Sequence, residues 1–324
     1  MVIDNNIQFD KNNKLKHFLN IENLTKRHIN DILNLADKFA SEKNKKFKNL
    51  EGKTVASLFF EPSTRTKTTF ELASKRLSAD FINIDIANSS TLKGESIIDM
   101  IKTLEAMQCD MFVVRHANSG TPHFIAKEVD QKIAVINAGD GTYAHPSQAM
   151  LDMYTIKKYK GGFNNLKVSI VGDILHSRVA LSNIYALKLL NAKIKICSPL
   201  SLIPREIESL GLSIETNLDK ALSWCDAVNV LRVQHERMEK SYFPNDREYS
   251  FLYGLDKKRI NKLKKDILIL HPGPINRGVE IKSDIVESDN SIILDQVENG
   301  VAVRMAIIYL LASKMNISKS HETV

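Results

Sequence analysis

The chain is poor in cysteine. Its three cysteines, Cys109, Cys197 and Cys225, are far apart and odd in number. That argues against a disulfide framework, and the lack of metal-ligand spacing argues against a zinc site. They read as small apolar packing residues, and no metal or cofactor is expected. No apolar run approaches the roughly 20 residues needed to span a bilayer. The opening stretch, "MVIDNNIQFDKNNKLKHF", is polar and has no apolar signal core. These absences imply a cytoplasmic protein with no membrane partner. There is no short repeat, no low-complexity tract, no zinc-finger spacing and no ribonucleoprotein aromatic signature. The net charge of +7 comes from 45 basic and 38 acidic residues. The lysines are dispersed, and the one dense cluster, Lys43 to Lys48, reads as a solvated loop. A nucleic-acid partner is therefore not expected. A positive balance also suits a protein that binds small anions.

What is present is an alternation. The chain has 324 residues, too long for one comfortable core, so two domains are the natural expectation. Short β-rich runs lie at 54–60, 81–86, 111–115 and 133–137, then at 167–172, 193–197, 226–231 and 267–270. Several are continuous apolar runs, as expected of strands buried on both faces of a parallel sheet. Segments of helical length separate them. The fold class is α/β, with two similar-sized domains, each a mainly parallel sheet flanked by helices. The charged connector "KKYKGGFNN" (157–165) marks a break between the two units, preceded by a linking helix at 147–159. Another helix is expected at 299–315, able to fold back onto the first domain.

The run "FFEPSTRTKTTFE" (59–71) is the most informative stretch. Ser63 follows Pro62 as a candidate N-cap, and Phe70, Ala73 and Leu77 give a helical core face. Ser63, Thr64, Arg65 and Thr66 therefore open a helix, where backbone N–H groups lack partners and the helix dipole is positive. Anions bind at such places. The hydroxyls add donors, and Arg65 adds a planar fork suited to phosphate oxygens. Capping alone accounts for Ser63 but not for an arginine flanked by two threonines.

Other motifs follow strands. Arg115 ends "FVVRHA" (112–117), a place where open α/β folds put ligands; a strand-end surface arginine is the ordinary alternative. "NAGDGTYAHPSQA" (137–149) holds Gly139 and Gly141, then His145 before Pro146, which suits a first helical position. Gln148 follows one turn later. "VSIVGDILHSR" (168–178) lacks the Gly-x-Gly-x-x-Gly spacing of a dinucleotide site.

Together these residues resemble the aspartate and ornithine carbamoyltransferases. Ser-Thr-Arg-Thr after Phe-Phe-Glu resembles their carbamoyl-phosphate signature, and His145-Pro-x-Gln148 matches their pattern. Arg178, Arg232 and Gln234, and "HPGPINRGVEI" (271–281) follow in the family's order. The resemblance runs from about Lys14 to the last helix. It implies domains at 1–147, with 298–324 packing back, for carbamoyl phosphate, and at 148–297 for aspartate. Ser63, Thr64, Arg65 and Thr66 would hold phosphate. Thr66, Arg115 and His145 would stabilise the oxyanion. Gln148 and carbonyls of Pro272, Gly273 and Pro274 would orient the carbamoyl amide. Arg178 would take the α-carboxylate, and Arg232 with Gln234 the side-chain carboxylate. From "NSSTLKGES" (88–96), Ser89 (or adjacent Ser90) would join the phosphate, and Lys93 would face the anionic substrates, both from a neighbouring subunit of a homotrimer. Arg232-x-Gln234 resembles the aspartate branch; the Ser-Met-Gly and His-Cys-Leu-Pro segments of ornithine enzymes are absent. Gly273 stands where many aspartate enzymes have leucine. The implied reaction is carbamoyl transfer from carbamoyl phosphate to L-aspartate. An ornithine enzyme, a catalytically dead relative and a nucleic-acid module are the alternatives. The first dozen residues resemble extensions of chains that assemble with dihydroorotase-like partners; regulatory chains are the alternative partner.

Overall fold

A computed structural model describes residues 7–43, 45–86, 94–238, 242–263 and 266–313. The described residues up to Met150, together with those from Asn299 onward, form one compact unit, and Leu151–Glu298 form the other. The division falls within the helix Pro146–Lys160. The glycine-rich connector after that helix is only the turn into the next strand, because Gly and Asn punctuate the chain path rather than its packing.

The first unit contains β1 (Thr54–Phe59), β2 (Asp80–Ile84), β3 (Met111–His116) and β4 (Ala134–Asp140). They form a parallel sheet in the order β2-β1-β3-β4. β4 is buried along its whole length and β3 over its first four residues, which is why Met111–Val114 and Ala134–Ile136 read as apolar runs. β2, at the edge, is exposed except at the half-buried Phe81 and Ile84. The opposite edge is covered by the amino-terminal segment. Phe18 N–H donates to Val135 O (2.8 Å), and Asn137 N–H donates to Phe18 O (2.9 Å). Helix Lys26–Ser41 buries Ile29, Ile32, Leu33, Ala36 and Phe39, a stripe at helical spacing. Ala56, Leu58, Phe112, Val114, Ile125 and Val135 make one continuous core. Truncating a fully buried side chain such as Phe112 to alanine would cost about 3–5 kcal/mol.

The second unit contains β5 (Lys167–Val171), β6 (Lys193–Cys197), β7 (Ser213–Glu215), β8 (Ala227–Val230) and β9 (Leu268–Leu270). The order is β7-β6-β5-β8-β9, again all parallel. β7 has no counterpart in the sequence expectation, since three residues carry too little periodicity to register. Val171, Leu222, Val228, Val230, Tyr249 and Ile269 belong to its core. The last helix spans Ile293–Ala312, starting six residues before the expected 299. Among the described residues no helix is long and apolar enough to cross a membrane.

Within each unit all strands run the same way. Residues that follow strand ends are therefore collected along one edge of each sheet.

Candidate active site

In the first unit, β1 runs into a short turn and then the helix Thr64–Arg76. Ser63 occupies the N-cap position, but its side chain makes no capping hydrogen bond. The expected cap is thus positional only, and the first-turn N–H groups are not taken up by it. Thr64 and Arg65 are exposed, while Thr66 is buried. The Thr69 hydroxyl donates to the carbonyls of Arg65 (2.8 Å) and Thr66 (3.0 Å), fixing that first turn from below.

Arg115 sits at the end of β3, beside β1. Phe60 N–H donates to Arg115 O at 2.8 Å, extending the ladder past the strand. The Arg115 side chain donates from Nη1 to Ala138 O (3.3 Å), and its Nε lies 3.5 Å from Glu61 Oε1. Glu61, part of the Phe-Phe-Glu run but given no role there, thus orients the arginine.

β4 ends at Asp140, whose carboxylate is fully buried and accepts from Gly120 N–H at 2.8 Å. The next residues turn tightly: Asp140 N–H donates to Ala144 O (2.9 Å) and Gly141 N–H to His116 O (2.9 Å). Gly141 has φ +49°, and a Cβ there would meet Ser119 Oγ at 2.1 Å and Ser119 N at 2.6 Å. His145 and Gln148 follow, both buried, with Gln148 N–H donating to His145 O at 3.1 Å. Strand ends thus deliver Ser63 to Thr66, Arg115, His145 and Gln148 to one edge of one sheet. Ser89, Ser90 and Lys93 lie outside the described residues.

In the second unit, β5 runs out into a turn at Gly172 and Asp173. Gly172 has φ +115°, and a Cβ there would lie 2.9 Å from the Tyr249 hydroxyl and 3.1 Å from Leu231 O. Asp173 is fully buried. One carboxylate oxygen accepts from His176 N–H (3.1 Å) and contacts His176 Nδ1 (2.8 Å); the other accepts from Gln234 N–H (3.1 Å). So Asp173 ties the β5 turn to the β8 turn, and His176, assigned no role in the sequence, is its partner. Ser177 caps the helix Arg178–Leu189 by accepting from Ala180 N–H at 3.2 Å, and Arg178 is buried at that helix start.

β8 delivers Arg232. Its Nε donates to Asn276 Oδ1 (3.4 Å), and its Nη1 to Gln234 Oε1 (3.5 Å) and to Glu236 Oε1. Burial pushes the Glu236 carboxyl up, but the Arg232 hydrogen bond, a backbone hydrogen bond and the charges of Arg232 and Arg237 together outweigh it, so the group sits below its ordinary value. β9 delivers His271 and the Pro272–Gly273–Pro274 turn, with a cis Gly273–Pro274 bond. His271 Nδ1 accepts from Gly273 N–H at 2.8 Å. Among the described residues no group of three or more His, Cys, Asp or Glu could hold a metal ion.

Each unit thus offers one arginine steadied by an acid near a sheet edge, Arg115 by Glu61 and Arg232 by Glu236, a setting for anionic ligands. Two family models match in tandem. The one described as aspartate/ornithine carbamoyltransferase, carbamoyl-P binding domain, covers residues 16–158; its Asp/Orn binding domain covers 164–311. The aspartate carbamoyltransferase catalytic subunit of Flavobacterium johnsoniae is 55% identical over 92% of this chain and 97% of its own. That of Christiangramia forsetii is 56% identical over the same shares. The solved catalytic subunit of M. jannaschii aspartate transcarbamoylase is 33% identical with a TM-score of 0.81, over 93% of this chain and 99% of its own. The chain belongs to the aspartate/ornithine carbamoyltransferase family.

Proposed function

We propose that this chain transfers the carbamoyl group of carbamoyl phosphate to the amine of L-aspartate, a step towards pyrimidines. The products are N-carbamoyl-L-aspartate and phosphate. The observation that carries the choice of acceptor is Arg232, held at the end of β8 by Gln234, Asn276 and Glu236. A guanidinium so fixed favours a carboxylate. The cationic side chain of ornithine would meet it unfavourably.

In this reading, Ser63, Thr64, Arg65 and Thr66 grip the phosphate through hydroxyls, guanidinium and first-turn N–H groups. The carbamoyl amide is oriented by Gln148 and by carbonyls of the Pro272–Pro274 turn. The amine, as free base, attacks the carbamoyl carbon; a C–N bond forms and the C–O bond to phosphate breaks. Between these events the carbonyl oxygen carries negative charge. Thr66, Arg115 and His145 supply donors to it, and one such donor is typically worth about 3–4 kcal/mol of barrier. Arg178 takes the α-carboxylate, and Arg232 with Gln234 the side-chain carboxylate. No protein nucleophile is required, since orientation of two bound reactants supplies much of the rate.

We read the working form as a cytoplasmic homotrimer in which Ser89 and Lys93 enter a neighbour's site. The support is the likeness of the 88–96 loop to the family's. Mixing inactive Arg65→Ala and Lys93→Ala trimers would then restore activity at sites that combine the two intact residues. No recovery in verified mixed trimers would reject the sharing.

Arg232→Ala tests the acceptor assignment. Apparent aspartate affinity should fall by roughly 10–1000-fold, the range for losing a charge-assisted bond. Carbamoyl phosphate affinity by calorimetry should stay near wild type. A comparable loss for carbamoyl phosphate would move Arg232 to a different subsite.

A further inference from the structure

The segment after β9 contains a glutamate that the proposed reaction does not use. Glu280 and His271 are both fully buried, 0% exposed, with His271 Nε2 3.2 Å from Glu280 Oε1. The tautomer follows from the other ring nitrogen. Nδ1 accepts the Gly273 N–H at 2.8 Å, so it carries no proton. Nε2 carries it and donates to Glu280.

The same carboxylate oxygen accepts a second bond, from Asn276 N–H at 2.6 Å. Asn276 in turn spends its side chain on the β8 turn. Its Nδ2 donates to Val233 O at 3.1 Å, and its Oδ1 accepts from Arg232 Nε at 3.4 Å. One oxygen of Glu280 therefore holds two limbs. One limb passes through His271 to the Pro272–Gly273–Pro274 turn. The other passes through Asn276 to Arg232. The second oxygen, Oε2, is buried and makes no hydrogen bond among the described residues.

A carboxylate is an expensive group to bury, and neutral donors alone repay it poorly. A structural turn could be closed by an amide or a hydroxyl at lower cost. What a carboxylate adds is strength at one shared oxygen, since bonds to an ionised acceptor are shorter and stronger than neutral ones. We propose that Glu280 is a positioning residue that sets Arg232, through Asn276, for the side-chain carboxylate of the acceptor, while locking the Pro-Gly-Pro turn through His271. This rests on the proposed carbamoyl transfer to aspartate.

The test is a mutant cycle in the full-length enzyme. Glu280→Gln keeps the shape and one acceptor oxygen but removes the charge. We expect it to raise the KM for aspartate about tenfold, the scale of one weakened charge-assisted bond. The calorimetric Kd for carbamoyl phosphate should also rise, but by a smaller factor, because loosening the Pro272–Pro274 turn weakens only one of its several contacts. Because Glu280 acts through Arg232, Glu280→Gln in an Arg232→Ala background should add less than about twofold to that KM. Loss of fold stability would instead raise KM by a similar factor in both backgrounds. Asn276→Ala, combined with Arg232→Ala, repeats the cycle if the Glu280 variant does not fold. A KM within about twofold of wild type, or equal factors in both backgrounds, overturns the proposal. Wild-type enzyme that leaves aspartate unconsumed would instead overturn the functional reading beneath it.

Discussion

The guanidinium of Arg232 donates through Nη1 to the carboxylate of Glu236, four residues further along the chain. With Gln234 and Asn276 as the other acceptors, the arginine is oriented by three side chains of its own unit. Preorganisation of this kind lowers the ordering cost of binding.

Glu236→Gln should therefore weaken aspartate binding, because a neutral amide holds the guanidinium less firmly. Glu236 is more than half exposed, so the effect should be modest, a rise in KM of about 3–10-fold. Steady-state kinetics at saturating carbamoyl phosphate reads it. A fall in KM would show that Glu236 competes with the substrate for Arg232.

Gly141→Ala should damage the turn that carries His145. At φ +49°, with Ser119 Oγ 2.1 Å from the added Cβ, both backbone and neighbour must shift. A cost of roughly 1–3 kcal/mol is expected. Chemical denaturation and kcat, measured together, should both fall; unchanged kcat would separate the turn from His145.

Much of the site is legible in the chain because strand ends are punctuated. Ser63–Thr66, Arg115, His145, Arg178 and Arg232 each follow an apolar run, and the parallel arrangement does the gathering. The acids that steady them were not legible. Glu61, Asp173, Glu236 and Glu280 look like ordinary surface acids until packing buries or pairs them. Asp173, for example, holds the N–H of Gln234, 61 residues away. Element ends were also misplaced where tertiary contacts override local signals. The last helix runs through Asn299 and Gly300, although a helical glycine costs about 1 kcal/mol.

His123 should make the protein acid-sensitive. Burial lowers its pKa from 6.5 to about 4, with Lys127 adding to the shift. Its Nε2 faces Asn20 Nδ2 at 3.2 Å, and its Nδ1 lies 4.0 Å from Asp140 Oδ2, beyond hydrogen-bond reach. Above pH 6.5 the ring is neutral whether folded or unfolded. Between 6.5 and about 4 the unfolded chain binds a proton that the native state refuses. Stability therefore falls across that window, by about 3 kcal/mol in all. Urea midpoints against pH should drop less steeply in His123→Gln. Equal slopes would remove His123 from the acid response.

The choice of acceptor is the most direct test. Purified enzyme should be given carbamoyl phosphate with either L-aspartate or L-ornithine, and the carbamoylated product measured. We expect kcat/KM for aspartate to exceed that for ornithine by at least about 1000-fold, the scale of reversing one charge at a fixed guanidinium. Equal or faster carbamoylation of ornithine would contradict the assignment of Arg232 and, with it, the proposed reaction.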